Sequence, residues 1–179
     1  LIGFGQYRKA GRWYTNSLNA WASGGSSTNS ANLIRYYPFI IDQDITISRI
    51  GVNAATAGGA GTTIRLGIYT NNSSTCTPQT RLVDSGTILV DVTGSRTMTG
   101  LSVSLTKGLY WFAYFSNATT GTLTACTPSS VIDVKGLTNI GISPTLGLTE
   151  SLTYGALPTT ASAAAEITGT SVLLFYYYY

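Results

Sequence analysis

Ile50-Gly51-Val52-Asn53-Ala54, then Ala57-Gly58-Gly59-Ala60-Gly61, then Ile64-Arg65-Leu66-Gly67-Ile68-Tyr69 and, after a polar interval, Lys107-Gly108-Leu109-Tyr110-Trp111-Phe112-Ala113: this succession decides the fold. Each apolar run has the length of a strand and ends in its own turn. Outward from it, Ile45-Thr46-Ile47-Ser48-Arg49-Ile50 alternates with period two, as a half-buried strand does, and Met98 to Leu105 alternates again. Leu33 to Ile41 reads as a strand with Pro38 at an edge or a bulge. Arg12-Trp13-Tyr14 reads as a first strand or an anchoring aromatic pair. Leu82-Val83, Thr87 to Val92 and Leu123-Thr124-Ala125 read as short strands, and Val172 to Tyr179 closes the domain.

Ala22 to Asn32 and Asn71 to Gln79 are loops by composition. Thr127 to Ala165, carrying Pro128, Pro144 and Pro158, reads as long surface loops with short strands, and Ala161 to Glu166 admits one helical turn at most. No segment sustains a 3.6-residue apolar period. Roughly eight to ten short strands at spacings of about 8–12 residues predict an all-β chain, an antiparallel β-sandwich of jelly-roll-like form. Residues 1–11 form an N-terminal arm or linker, and residues 12–179 a single sandwich domain. The opening on Leu1, with no signal-peptide pattern in Leu1 to Gly5, reads as a processed product, a fragment or the end of a longer polypeptide.

Charged residues make up 9% of the chain, against about 25% in ordinary globular domains. The surface must therefore be covered by Ser, Thr, Asn, Gly and Tyr, as in rigid assemblies or extracellular proteins. The net charge of +3 comes from dispersed arginines, with one local cluster at Arg8-Lys9-Ala10-Gly11-Arg12. Nucleic-acid binding needs concentrated cations to displace counterions, so no nucleic-acid partner is expected. No run of about eighteen apolar residues exists to cross a membrane.

The chain has no histidine, which excludes a His-based triad, His-ligated metals and the commonest general base near neutral pH. Its seven carboxylates lie mostly beside Gly, Ser or Thr in turns, where turn hydrogen bonds account for them. A non-enzymatic protein without catalytic residues is expected. Asp42 and Asp44, two apart in a turn, are the metal candidates; they suit a hard cation such as calcium, although a solvated turn explains them more simply. Gly58 to Gly61 lacks the Gly-Lys-Ser/Thr ending of a phosphate cradle and reads as a hairpin turn. Cys76 and Cys126, each in a Cys-Thr-Pro context, would close a loop of about 50 residues worth roughly 4 kcal/mol if bonded. Two unpaired thiols are the favoured reading.

Trp111, embedded in an apolar strand, reads as core. Trp13, Trp21, Tyr36 and Tyr154, near loops or strand ends, are the glycan-binding candidates, because an aromatic face stacks on a sugar ring while nearby Asn and Thr supply hydrogen bonds. Packing or subunit-interface aromatics are the heavier alternative. Tyr176, Tyr177, Tyr178 and Tyr179 are oligomer-interface candidates: alternate rings face opposite sides of a strand, and burying both sides calls for a neighbour such as a second subunit.

Arg49-Ile50-Gly51-Val52-Asn53, Thr56 to Gly61, Ile64 to Tyr69 and Leu105-Thr106-Lys107-Gly108-Leu109-Tyr110-Trp111 together resemble a block in structural proteins of tailed bacteriophages, in tail-fibre, baseplate and head-fibre components. The likeness spans about residues 12 to 126 and carries no active-site motif. It implies a virion surface protein with a jelly-roll-like sandwich, assembled as a homotrimer with other virion proteins as neighbours. The expected role is host adhesion through a cell-surface glycan. The alternatives are a capsid decoration or head-fibre protein, or a carbohydrate-binding module of a larger enzyme. Cys76 and Cys126 depart from that pattern.

Overall fold

β-Branched and aromatic residues on alternating positions favour a pleated surface with one face buried. The computed structural model describes residues 9–15, 25–126, 135, 145–163, 165–168 and 171–179, and among these there is no helix. Two seven-stranded antiparallel sheets pack face to face as a β-sandwich, with a two-stranded ribbon beside them.

The back sheet is ordered around β3 (Leu33–Ile41), β6 (Thr63–Asn72) and β11 (Gly108–Ser116), with β11 central. β7 (Thr77–Asp84) and β8 (Ile88–Leu89) extend it beyond β6, and β13 (Thr145–Ser151) and β14 (Ala165–Thr168) beyond β3. The front sheet contains β1 (Trp13–Thr15), β2 (Gly25–Thr28), β5 (Arg49–Thr56), β9 (Gly94–Met98), β12 (Thr122–Cys126), β15 (Val172–Leu173) and β16 (Phe175–Tyr178). β4 (Ile45–Ile47) and β10 (Val103–Leu105) make the ribbon. The chain passes repeatedly from one sheet to the other.

The interior lies between the sheets. Phe112 of the back sheet stacks on Phe175 of the front sheet with centroids 3.8 Å apart, and Phe39 meets Phe175 edge-on. Ile41, Ile47, Ile50, Ile64, Leu66, Ile68 and Val172 fill the layer around them, all fully buried. Alternation explains the partition: Ile50, Val52 and Ala54 of β5 turn inward, leaving Arg49, Gly51 and Asn53 outward.

The back sheet has a second buried face. Ile34, Tyr36, Tyr69, Trp111, Ala113 and Phe115 point away from the front sheet and are covered by residues 152–163, a strap anchored by Leu157. Tyr36 and Tyr69 pack edge to face at 5.3 Å. Their hydroxyls donate to Glu150 Oε2 and the Pro158 carbonyl, and the Trp111 indole N–H donates to Asn71 Oδ1 at 2.8 Å. Trp111 is thus core, as read from its strand, but in this outer layer.

The strap is tied down by its backbone. Arg81 and Ala161 amides donate to the Thr159 and Gln79 carbonyls, and Leu157 N–H donates to Asp84 Oδ2. Asp84 takes two guanidinium bonds from Arg65, at 3.0 and 2.9 Å, and lies near Arg81, whose guanidinium also donates to the Leu157 carbonyl. Burial acts to raise the Asp84 pKa, but the Arg65 hydrogen bonds and the Gly86 and Leu157 amides outweigh it and hold the carboxyl below its ordinary range.

Several readings of the sequence change here. Gly58 to Gly61 is not a hairpin: β5 and β6 belong to different sheets, so this turn carries the chain across the sandwich. Ala22 to Asn32 contains β2, and Asn71 to Gln79 contains the end of β6 and the start of β7. Ala161 to Glu166 makes no helical turn in its described residues; Ala161 bonds to β7 and Ala165 begins β14. Pro38 sits where β13 no longer flanks β3, since that pairing runs only from Leu33 to Tyr36. Cys126 is buried in the core and Cys76 lies in the turn between β6 and β7. Of the N-terminal arm, residues 1–8 lie outside the described residues, while Gly11 N–H donates to the Tyr179 carbonyl.

Candidate functional site

The front sheet forks. β5 pairs with β9 along one edge; along the other it pairs with β16 through residues 49–52 and with β12 through Ala54 and Thr56. β15 runs up β12 (Val172 opposite Cys126, Leu173 opposite Ala125), the chain reverses at Leu174, and β16 runs back down β5. The Leu174 amide donates to the Thr124 carbonyl at the point of reversal. One arm continues through β16 to β1, the other through β12 to β2.

An open groove of about 590 Å³ lies on the outer face at this fork. Gly51, Val52 and Asn53 come from β5, Ser95 and Thr97 from β9, Thr124 from β12, Tyr176 from β16 and Trp13 from β1. Gly51 leaves the floor open because its neighbours are already close: a Cβ there would stand 2.7 Å from the Arg96 carbonyl oxygen and 2.9 Å from Thr97 Cγ2. Register sets the walls. Gly51 pairs with Thr97 on one side and Tyr176 on the other, so the three share the outer face in one row.

Asn53 Nδ2 donates to Thr124 Oγ1 at 2.8 Å, joining β5 to the β12 arm at one end of the groove. At the other end Trp13 meets Tyr178 edge-on at 5.4 Å, and the Arg49 guanidinium lies 4.8 Å from the Tyr178 ring centroid. Trp13 is 39% exposed and Tyr176 half-buried. Burial raises the Tyr176 pKa above the ordinary tyrosine value. The site therefore offers an aromatic face, an indole and a rim of hydroxyl and amide groups that both donate and accept.

The other sequence candidates are dispersed. Tyr36 is fully buried under the strap and has no ring face to present, which removes it as a glycan contact. Tyr154 lies on the opposite side of the sandwich, packed on Phe115 at 5.0 Å. Trp21 lies outside the described residues. The terminal tyrosines need no second subunit to bury their inner side: Tyr177 is buried against Phe39 and Phe175 of the same chain, and β1 and β5 flank their strand. Tyr178 packs between Trp13 and Arg49, and Tyr179 lies near Tyr14 and the Gln43 amide.

Asp44 accepts the Lys107 amide at 2.8 Å, the work of a turn residue, and no group of three or more His, Cys, Asp or Glu suited to a metal occurs among the described residues. Among the described residues no carboxylate lines the groove: Asp84 is held by arginines, Glu150 by Tyr36 and Ser162, and Glu166 by Lys135 and Thr145. Gly51, Asn53, Ser95, Thr97, Thr124 and Tyr176 were not singled out as glycan contacts from sequence. Only the outward positions of β5, paired with polar positions on its neighbours, could have signalled them, and that requires the register.

No protein-family model matches the chain, and comparison with curated proteins finds no match.

Proposed function

We propose that this chain is a non-enzymatic surface protein of a tailed-phage virion, the host-adhesion domain of a fibre or tail component, and that it binds a cell-surface glycan in the groove of the forked sheet. The observation that carries the binding reading is Tyr176 and Trp13 lining an open trough with Asn53, Ser95, Thr97 and Thr124 around them. The C–H face of a pyranose packs on an aromatic ring by dispersion, and its hydroxyls exchange hydrogen bonds with such a rim. The phage context comes from the sequence resemblance. A low-charge surface rich in hydroxyls suits that setting, and a homotrimer beside other virion proteins is part of the same reading.

The test is glycan-array screening of the whole chain, followed by titration calorimetry with any ligand found. Tyr176→Ala is expected to lower affinity about tenfold, the equivalent of roughly 1.4 kcal/mol of lost ring contact. Its unfolding curve checks that the sheet is intact. Binding unaffected by Tyr176→Ala, or a chain that binds no glycan, would rule this site out as the adhesion surface.

A further inference from the structure

Resting on the reading of the groove as a glycan site, we infer that its ligand is an acidic saccharide, with a pyranose ring on Tyr176 and a carboxylate directed to Arg49. Arg49 and Gly51 both face outward on β5, two residues and therefore about 6.6 Å apart along the strand. That is the span of one sugar unit. The Arg49 guanidinium is held over the Tyr178 ring, and Tyr178 in turn touches Trp13 of the groove wall. The cation is thus positioned by an aromatic neighbour at the groove's end.

Two further observations give the charge a direction. No salt bridge among the described residues involves Arg49. Among the described residues the groove's lining carries no carboxylate to repel an anion. A planar guanidinium stacked on a ring keeps its edge N–H donors free and presents them in the fork that matches a carboxylate. A neutral sugar would leave that fork to water.

The experiment measures binding of the full chain to galacturonate, glucuronate and sialate oligosaccharides and to their carboxyl-reduced counterparts, for wild type, Arg49→Gln and Tyr176→Ala. Wild type is expected to bind at least one acidic ligand about tenfold more tightly than its reduced form, the difference shrinking as salt is raised. Arg49→Gln should erase that preference, bringing affinity for the acidic ligand down to that for its reduced form. Equal affinity for the two forms, or a preference that survives Arg49→Gln, overturns the assignment of the acid to Arg49. In that case a loss of all sugar binding in Tyr176→Ala still upholds the groove. Binding of none of these sugars by wild type overturns the acidic ligand, and the array then decides separately whether the groove takes a neutral one. A change of sedimenting mass caused by either substitution would make the groove a contact between copies of the chain and overturn both.

Discussion

Leu157→Ala tests whether the strap over the back sheet is part of the folded core. Leu157 is 1% exposed and sits among Tyr36, Tyr69 and Trp111. Its main chain is pinned on both sides, by the amide bond to Asp84 and by the Arg81 guanidinium on its carbonyl. Removing three carbons forfeits about 2.4 kcal/mol of transfer free energy at roughly 0.8 kcal/mol per methylene. Because the pinned backbone cannot follow the shortened side chain inward, most of the vacated space stays open. A residual cavity of about 50 Å³ adds about 1.2 kcal/mol. The expected loss is therefore about 3.5 kcal/mol, or a Tm lower by roughly 7–14 °C for a chain of this size. Urea unfolding followed by tryptophan fluorescence and far-UV circular dichroism measures it, with Leu89→Ala as control: Leu89 is 54% exposed and should change stability by less than about 0.5 kcal/mol. A loss under about 1 kcal/mol for Leu157→Ala would refute the packed strap. So would a fluorescence transition that separates from the circular dichroism transition, because the strap would then unfold on its own.

Asp84→Asn should cost about 1–3 kcal/mol at pH 7, since it removes the charge that Arg65 and Arg81 surround. Asp84 titrates lower folded than unfolded, so its stabilisation is present above about pH 4 and lost as pH falls through the depressed folded value; denaturation curves at stepped pH should show a shallower acid loss in the variant. Tyr36, Tyr69 and Tyr114 have pKa values raised by burial above the ordinary 10.0, so they stabilise the fold fully below pH 10 and cease to as pH climbs beyond it. Absorbance at alkaline pH should show them ionising only together with unfolding, and gradual ionisation in a folded chain would contradict their burial. Gly121→Ala should destabilise by about 2 kcal/mol or more in thermal unfolding, because Gly121 has a φ of +80° and an added Cβ would lie 2.6 Å from the Gly58 Cα.

What could be read from the sequence followed burial. β5, β6 and β11 each carry a buried apolar run flanked by turns, and those runs and turns placed them to within a few residues. β2 (Gly-Ser-Ser-Thr) and the start of β7 (Thr-Pro-Gln) have the composition of loops because partly wet faces constrain them little, and β7's outer edge is bordered by the strap rather than by a strand of the sheet. β13 was obscured for another reason. Leu146 and Leu148 are buried in different layers, one in the interior and one under the strap, so its four consecutive buried residues show no period of two. Tyr36 went wrong in the same way: its strand is covered on both faces, and nothing in Leu33 to Ile41 reveals the distant strap that covers it.

The groove was illegible because no single segment contains it. Its concavity arises where the reversal at Leu174 inserts a narrow wedge, β15 up one side and β16 down the other, between β5 and β12. Those strands pair through their backbones at Ala54–Leu123 and Thr56–Thr122, the Asn53–Thr124 side-chain bond adds one more tie, and beyond it β5 pairs with β16 instead. On the inner face the gap is filled by Leu173, Leu174 and Phe175, all buried in the main core. On the outer face the side chains that would fill it are small or absent: Gly51, Ser95, Thr97 and Thr124. Only Tyr176 and Trp13 rise from it. A sandwich with evenly paired strands would present a nearly flat outer face. Here the same wedge that completes the core opens the trough outside it, so the integrity of the site and the stability of the C-terminal strands are coupled through Leu174.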